Sequence, residues 1–314
     1  MDKAQWRKHK LFNSIQSLVL IVALAIILGF LGNLIGGKFL AFFAIGGIFV
    51  LYFFNPVVSP YLVLKTYRTR LITPAQAPNL YAVLRLLAKR ADLPSVPKLY
   101  YLPSNIMNAF AVGMPENAVI TLSDGILRSL SPREIAAVLA HEISHIAHED
   151  MRIMGFADLV SRLTNFLSLI GQFLLILSLP LLLFGIVIIS WTAIFILIFA
   201  PIVTDLLQLA LSRNREYDAD LGAVRLLNDP EALASALLKM GGGSILTQIL
   251  KPGYHSPEPS LLRTHPPIKE RIRRILSLRQ HASILPFYQP DLPLFLLMAP
   301  TPLRPLWHLN GIRF

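Results

Sequence analysis

Two long stretches of the chain are almost free of charged side chains. Residues 11–37 carry no charge, and the apolar pattern resumes directly after Lys38. Two segments of about 20 residues, the length that crosses a bilayer, therefore fit near 15–36 and 39–60. A second uncharged stretch at 163–204 is long enough for a helical hairpin, at about 1.5 Å of rise per residue. The pattern predicts four membrane-spanning helices in two hairpins.

The remaining chain alternates polar and apolar positions and predicts one soluble domain that the second hairpin interrupts. Apolar residues recur at helical spacing over 79–91, which predicts an amphipathic helix. Short strands are predicted at 98–102, 108–112 and 119–122. A further helix at 233–240 is expected to stop at the three glycines 241–243.

The predicted fold class is mainly α with a small β element. Residues 283–314 are apolar but broken by prolines, so they are expected to pack on the domain or to lie at the membrane surface. The predicted segments are an N-terminal arm at 1–14, the first hairpin at 15–60, the first part of the domain at 61–162, the second hairpin at 163–204, the second part of the domain at 205–282 and a tail at 283–314.

Composition agrees with a membrane protein, since 54% of the residues are hydrophobic and 15% are charged. The formal net charge of +11 comes from cations scattered beside the apolar segments, where they can contact anionic lipid heads. They are not interleaved with stacking aromatic residues, so nucleic acid is not an expected partner. The chain has no cysteine, which excludes disulfides, thiolate catalysis and cysteine-based zinc sites.

The basic residues also predict the orientation in the membrane. Lys3, Arg7, Lys8 and Lys10 precede the first apolar segment, whereas the loop after it holds Lys38 alone. Because Lys and Arg are retained on the cytoplasmic side, the N-terminus and the soluble domain are expected in the cytoplasm. A cleaved signal peptide is the alternative, but the apolar stretch is much longer than the usual 7–15 residues or so.

The strongest chemical signal is the motif His-Glu-Ile-Ser-His at 141–145. His141 and His145 stand four residues apart, so on a helix both imidazoles can reach one metal ion. Glu142 is then placed to address a metal-bound water. Residues 131–134, Ser-Pro-Arg-Glu, read as a capping box that starts this helix.

A catalytic zinc ion usually takes three protein ligands, so another one must come from elsewhere in the chain. Glu216 and Asp220 are four residues apart in a helix-compatible run and share a helix face. Either carboxylate could bind the metal while the other orients a ligand. The alternative is a solvated charged face with weak surface ion pairs.

Together these motifs resemble the HtpX-like membrane-integrated zinc metalloproteases, which are gluzincins of the HExxH type. Residues 212–220 carry the family's S-R-x-R-E-x-x-A-D pattern, which follows a transmembrane hairpin. Asn-Ala-Phe at 108–110 is similar to the family's strand near the active site. Thr-His-Pro-Pro at 264–267, followed by Arg-Ile at 271–272, is similar to its C-terminal H-P element. The resemblance spans 108–272 and implies a zincin-type catalytic domain.

The resemblance also implies roles for single residues. One zinc ion per chain would have three ligands, which are His141, His145 and Glu216. Glu142 would be the catalytic base, and Asp220 would support the site without touching the metal.

Two further roles stay open between candidates. His265 or Tyr217 would stabilise the tetrahedral oxyanion. Asn108, Ala109 and Phe110 would form a strand that binds an extended substrate through backbone hydrogen bonds. The alternative is an interior strand that is already paired on both sides.

The resemblance implies an endopeptidase that hydrolyses damaged or misfolded membrane proteins and unfolded polypeptides. Its partners would be these polypeptides and the lipid bilayer. It would act on the cytoplasmic side of a bacterial inner membrane, in protein quality control under stress. A CAAX-type or other specific processing peptidase is one alternative. A non-catalytic membrane scaffold with a retained metal site is another, and Glu142 argues against it because a structural zinc needs no base.

Overall fold

A computed structural model describes residues 3–54, 60–183, 191–250 and 266–278. The predicted tail at 283–314 lies outside these ranges. The described helices are α1 Lys3–Phe54, α2 Pro60–Thr66, α3 Pro78–Arg90, α4 Asp124–Ser129, α5 Pro132–Ala147, α6 Asp150–Leu183, α7 Trp191–Leu227, α8 Pro230–Leu250 and α9 Ile268–Ser277. The described strands are β1 Arg70–Ile72, β2 Lys98–Leu102, β3 Ala109–Val112 and β4 Val119–Ser123.

The first helix, α1, reverses direction at Gly37. This glycine adopts φ +67°, a conformation that L side chains rarely take. A Cβ atom on Gly32 would lie 3.2 Å from the Cβ of Ala44. A straight helix would hold these two positions about 18 Å apart. The two limbs of α1 are therefore antiparallel, as the first predicted hairpin requires.

Three described helical segments are long and apolar enough to cross a membrane, namely Arg7–Leu34, Asp150–Pro180 and Trp191–Leu227. The second limb of α1 contains a shorter apolar helix, Gly37–Gly47. The fourth predicted span therefore stays a prediction. Large apolar side chains such as Phe166, Leu169, Phe173 and Ile176 point outward from α6, which suits contact with lipid.

The second predicted hairpin is built from α6 and α7, which pack along each other. Gly171 allows the two helices to approach closely, because a Cβ atom there would be only 2.8 Å from the Cβ of Leu197 and would clash with it. Helix α1 packs against α7 as well. Helix α7 continues without a break from the apolar segment into the soluble domain.

A four-stranded sheet with the order β1-β2-β4-β3 forms the β element. Strands β2 and β4 are parallel, whereas β1 and β3 pair antiparallel with their neighbours. The three strands predicted from the sequence are present, and β1 was missed because its three residues are too few to show an alternation. Helix α3 confirms the amphipathic pattern at 79–91, with Leu84 and Leu87 fully buried.

The predicted capping box starts α5. The Ser131 hydroxyl accepts a hydrogen bond from the Glu134 amide, and the Glu134 carboxylate accepts one from the Ser131 amide at 2.7 Å. Glu134 also accepts hydrogen bonds from Ser235 at 2.6 Å and Lys239 at 2.7 Å, both on α8. The cap thus joins α5 to a second helix.

The predicted stop of the helix at residues 241–243 was wrong. Helix α8 continues through the glycines to Leu250. A glycine costs a helix about 1 kcal/mol relative to alanine but does not break it. Gly241 has a packing role instead, because a Cβ atom there would collide with the side chain of Ile268.

Candidate metal centre

The HExxH motif lies on α5, and Glu216, the predicted third ligand, lies on α7. The two helices pack directly against each other. Gly222 permits this contact, because a Cβ atom at that position would collide with the hydroxyl of Ser144. Ser144 is a middle residue of the motif. The approach of α7 brings Glu216 to the face of α5 that carries both motif histidines.

His141, His145 and Glu216 form a cluster that could hold a metal ion. The Nε2 atoms of His141 and His145 are 3.2 Å apart. The Glu216 carboxylate oxygens lie 3.6 Å from Nε2 of His141 and 3.8 Å from Nε2 of His145. Ligand atoms around a tetrahedral zinc ion with bonds of about 2.0–2.1 Å are about 3.3–3.4 Å apart. The cluster therefore fits zinc after shifts of a few tenths of an ångström.

Each motif histidine has a carboxylate beside its other ring nitrogen. Asp220 Oδ1 lies 3.2 Å from Nδ1 of His141, and Asp150 Oδ2 lies 2.8 Å from Nδ1 of His145. A carboxylate at this position fixes the tautomer and orientation of a metal-ligating imidazole. The hydrogen bond with Asp150 holds the His145 ring with Nε2 turned to the metal position, and Asp220 lies within ion-pair distance of the His141 ring.

Asp150 was missed in the sequence. Helix α5 ends at Ala147, Glu149 adopts φ +51°, and α6 begins at Asp150. This sharp turn carries the carboxylate back to the histidine five residues earlier. Acidic residues are common at helix starts, where they interact favourably with the helix dipole, so Asp150 carries no specific signal of a metal site.

Arg271 on α9 is the second residue that sequence reasoning did not assign to the site. Its guanidinium donates to both oxygens of Asp220, at 2.8 and 2.7 Å. It also lies 2.9 Å from Oε2 of Glu216. Its exposed fraction is 3%. This buried cation balances the negative charge of the two carboxylates.

The buried histidines have raised pKa values in this setting. Burial lowers the pKa of His141, but the contacts with Asp220 and Glu216 outweigh burial and raise it to about 10. Burial likewise lowers the pKa of His145, and the hydrogen bond with Asp150 reverses the direction. Metal binding at this cluster must therefore displace protons.

Glu142 is buried on α5 beside His141, with 7% of its surface exposed. Burial lowers the pKa of Arg271, but the negative charges of Asp220 and Glu216 and, less strongly, that of Glu142 raise it above the usual value. The motif glutamate therefore faces the same enclosed, charged region as the metal cluster.

The other predicted site residues occupy different positions. Tyr217 packs against α9, where the guanidinium of Arg274 lies 3.7 Å above its ring. His265 lies outside the described residues. The oxyanion role of either residue therefore stays a prediction. His148 is the C-cap residue of α5, and its Nε2 atom lies 3.1 Å from Nζ of Lys10.

Strand β3 runs beside α5 and begins at Ala109. Asn108, just before it, exchanges two hydrogen bonds of 2.9 Å with Ser123, one from each backbone amide. Within the described sheet, β3 is an edge strand that pairs with β4. Among the described residues, β3 therefore pairs on one side, and the alternative of a strand paired on both sides is not observed.

Comparisons with known proteins identify the family. Residues 74–279 match the model of Peptidase family M48. A Protease HtpX homolog of Desulfatibacillum aliphaticivorans is 33% identical over 294 residues, which cover 87% of this chain and 92% of that protein. One of Campylobacter hominis is 36% identical over 300 residues, which cover 85% of this chain and 98% of that protein.

The crystal structure of S. mikatae Ste24p is a more distant match. It is 22% identical with a TM-score of 0.44, and the match covers 85% of this chain and 66% of that chain. A likeness of this size carries no conclusion. The family match and the relatives of nearly equal length show that this chain belongs to Peptidase family M48, as an HtpX-like membrane metalloprotease.

Proposed function

We propose that this protein is a zinc endopeptidase that cleaves polypeptides beside the membrane. The observation that carries the proposal is the cluster of His141, His145 and Glu216 next to the buried Glu142. Three ligands leave a fourth position of a tetrahedral ion for water or substrate, as catalytic zinc sites do. A structural zinc site would instead be closed by four protein ligands.

A zinc ion held there would polarise a substrate carbonyl and lower the pKa of water from about 15.7 toward about 7. Glu142 acts as the general base and accepts the proton of the attacking water. It then donates this proton to the departing amine, so one carboxylate serves as base and as acid.

The surrounding residues keep the ligands in position. Asp220 and Asp150 hold the two imidazoles in the tautomer that leaves Nε2 free. Arg271 holds Asp220 and screens Glu216. Tyr217 or His265 supplies the hydrogen bond to the tetrahedral oxyanion.

An extended substrate would pair with β3 along Asn108, Ala109 and Phe110. The edge position of β3 beside α5 supports this proposal. Backbone hydrogen bonds of this kind give affinity with little dependence on side chains. Broad selection of unfolded or damaged membrane proteins, as in quality control under stress, is the substrate preference that follows.

The proposed topology has four spans in two hairpins, with the N-terminus and the catalytic domain in the cytoplasm at the inner membrane. The basic residues around Lys10 support this orientation. The catalytic domain would consist of 61–162 and 205–282, with residues 163–204 as the hairpin between them.

Zinc content and casein cleavage of the detergent-purified protein test the proposal. Glu142→Gln should retain one zinc ion per chain and lose cleavage. Glu216→Gln should lose zinc as well as cleavage. Glu116→Gln is the matched control, since this glutamate is exposed on a turn, and it should behave as the wild type.

Cleavage by Glu142→Gln would contradict the assigned base, and full zinc content in Glu216→Gln would contradict the assigned third ligand. A wild type that binds zinc but leaves casein intact would refute a broad endopeptidase. A CAAX-type or other specific processing peptidase, or a scaffold with a retained metal site, would then be favoured.

A further inference from the structure

We propose that the first membrane helix, α1, helps to orient the metal ligand His145 through a chain of buried polar contacts that begins at Ser17. Arg215 and Asp150 are the positioning residues in between. The inference rests on the proposed function in one respect, which is that His145 is a metal ligand. It assigns a role to α1 that packing against the other membrane helices would not require.

The contact nearest to the metal position joins His145 to Asp150. Their Nδ1 and Oδ2 atoms are 2.8 Å apart, and Asp150 is 1% exposed. A carboxylate isolated from water at this depth needs a cation or several donors of its own. Its orientation is therefore determined by whatever holds its second oxygen.

Arg215 on α7 supplies that cation. Its Nη1 atom lies 3.3 Å from Oδ1 of Asp150, and its Nη2 atom lies 2.6 Å from Oδ2 of Asp218. The planar guanidinium thus bridges two buried carboxylates. Because its donors form a rigid fork, a shift of Arg215 must move Asp150 with it or break the contact.

The far side of Arg215 reaches α1. The Nη2 atom donates to the hydroxyl of Ser17, which also accepts a hydrogen bond of 2.5 Å from Asn214. Asn13 of α1 donates to Asp218 at 3.0 Å, and the side chain of Asn214 donates to the backbone oxygen of Asn13 at 2.5 Å. The first membrane helix is therefore hydrogen-bonded to the residues that fix Asp150.

Apolar contacts already hold α1 in place. Leu24 and Leu28 pack with Leu211 of α7, and Leu31 packs with Leu197. The polar contacts of Asn13 and Ser17 lie about two to three turns nearer the N-terminus than Leu24. Burying ionic groups seldom adds net stability over apolar residues of the same volume, so stability alone does not explain them.

The direction of the network suggests what it does. It begins on a helix that contacts lipid and ends on the imidazole of a metal ligand, with each step a hydrogen bond or an ion pair. A displacement of α1 relative to α7 would therefore change the orientation of His145. Affinity for the metal should consequently depend on the contact between α1 and α7.

The test is the affinity of the full-length protein in detergent for Zn²⁺, measured by competition with a chelator. Asp150→Asn should weaken binding by about 10- to 100-fold, the range found for residues that orient metal ligands. Ser17→Ala should weaken it by at least about threefold, and Ser17→Thr, which keeps the hydroxyl, should restore it. The matched controls are Ser14→Ala and Asp158→Asn, since Ser14 is an exposed serine on α1 and Asp158 pairs with the exposed Arg162.

A double-mutant cycle decides whether the two ends are connected. In the Asp150→Asn background, Ser17→Ala should have almost no further effect, because the contact that transmits it is gone. Independent effects that multiply would overturn the proposal. So would a Ser17→Ala affinity equal to that of Ser14→Ala, a comparison that remains decisive if Asp150→Asn fails to fold.

The affinity measurement does not require proteolysis, so it separates this inference from the proposed function. A wild type that binds Zn²⁺ without cleaving casein refutes the proposed function and leaves the network testable. A wild type that cleaves casein while all network variants bind Zn²⁺ normally refutes the network alone.

Discussion

Arg271 holds Asp220 through two hydrogen bonds, from Nε at 2.8 Å and from Nη2 at 2.7 Å. The two residues come from α9 and α7, and both are buried. Asp220 in turn lies beside His141. A single ten-residue helix, α9, thereby contributes to the geometry of a candidate metal centre whose other residues lie on α5, α7 and the start of α6.

Replacing Arg271 by Gln should therefore damage both the fold and the site. Removal of one partner from a buried ion pair typically costs about 3–5 kcal/mol. Thermal unfolding should occur at a lower temperature, and zinc content should fall. Arg273→Gln is the control, because Arg273 is exposed on the same helix. Equal unfolding temperatures for the two variants would contradict the role of Arg271.

The raised pKa of His141 predicts how pH affects the metal-free protein. In the fold this pKa is about 10, against 6.5 for an unperturbed histidine. The protonated form thus contributes stability that is complete below about pH 6.5 and is lost as the pH rises through about 10. Unfolding of the metal-free protein should therefore need less denaturant at pH 9.5 than at pH 7.

The zinc-loaded protein is the internal comparison for this pH effect. Metal binding requires neutral imidazoles, so its affinity should rise with pH over the interval in which the metal-free protein loses stability. Chelator competition at several pH values measures this. An affinity independent of pH between 6.5 and 9 would show that His141 is not protonated in the metal-free site.

Gly222→Ala tests the close approach of α5 and α7. The added methyl group would collide with Ser144, and overpacking of this kind costs about 1–3 kcal/mol. Stability and zinc content should both fall, because the helices must move apart at the ligands. Gly46→Ala is the control, since a Cβ atom there meets nothing within 4 Å, and it should be neutral or slightly stabilising. Full zinc content in Gly222→Ala would refute the link.

The proposed orientation can be tested with a single cysteine, because the natural chain has none. Lys38→Cys lies directly after Gly37, where α1 reverses direction. With a cytoplasmic N-terminus, a membrane-impermeant thiol reagent should label it from outside the inner membrane. Labelling from the cytoplasmic side alone would reverse the topology.

Much of the fold could be predicted because the sequence patterns that specify it lie within short segments of the chain. The capping box at Ser131 and the spacing of His141 and His145 lie within a few residues of each other, and both predict α5. Among the partners from distant parts of the chain, Glu216 and Asp220 were proposed from the family's motif, whereas Arg271 was given no role in the site. Arg271 is 51 residues from Asp220, and no pattern in either segment specifies the other.

The glycines illustrate the same limit. A run of glycines at 241–243 predicted a helix stop, since glycine favours helix ends. Whether a glycine ends a helix or admits a neighbour depends on what packs there. Ile268 packs against Gly241 and Ser144 against Gly222, and only the assembled structure brings these pairs together.

The unbroken course of α7 has a consequence for what can be cut. Its uncharged part ends at Thr204, and Glu216 stands about 18 Å farther along the same rigid helix. An extended chain of about five or six residues covers that distance. The helix therefore sets a minimum distance between the membrane and the cleavage site. A membrane-anchored substrate whose scissile bond lies fewer than about five residues from its anchor should stay intact.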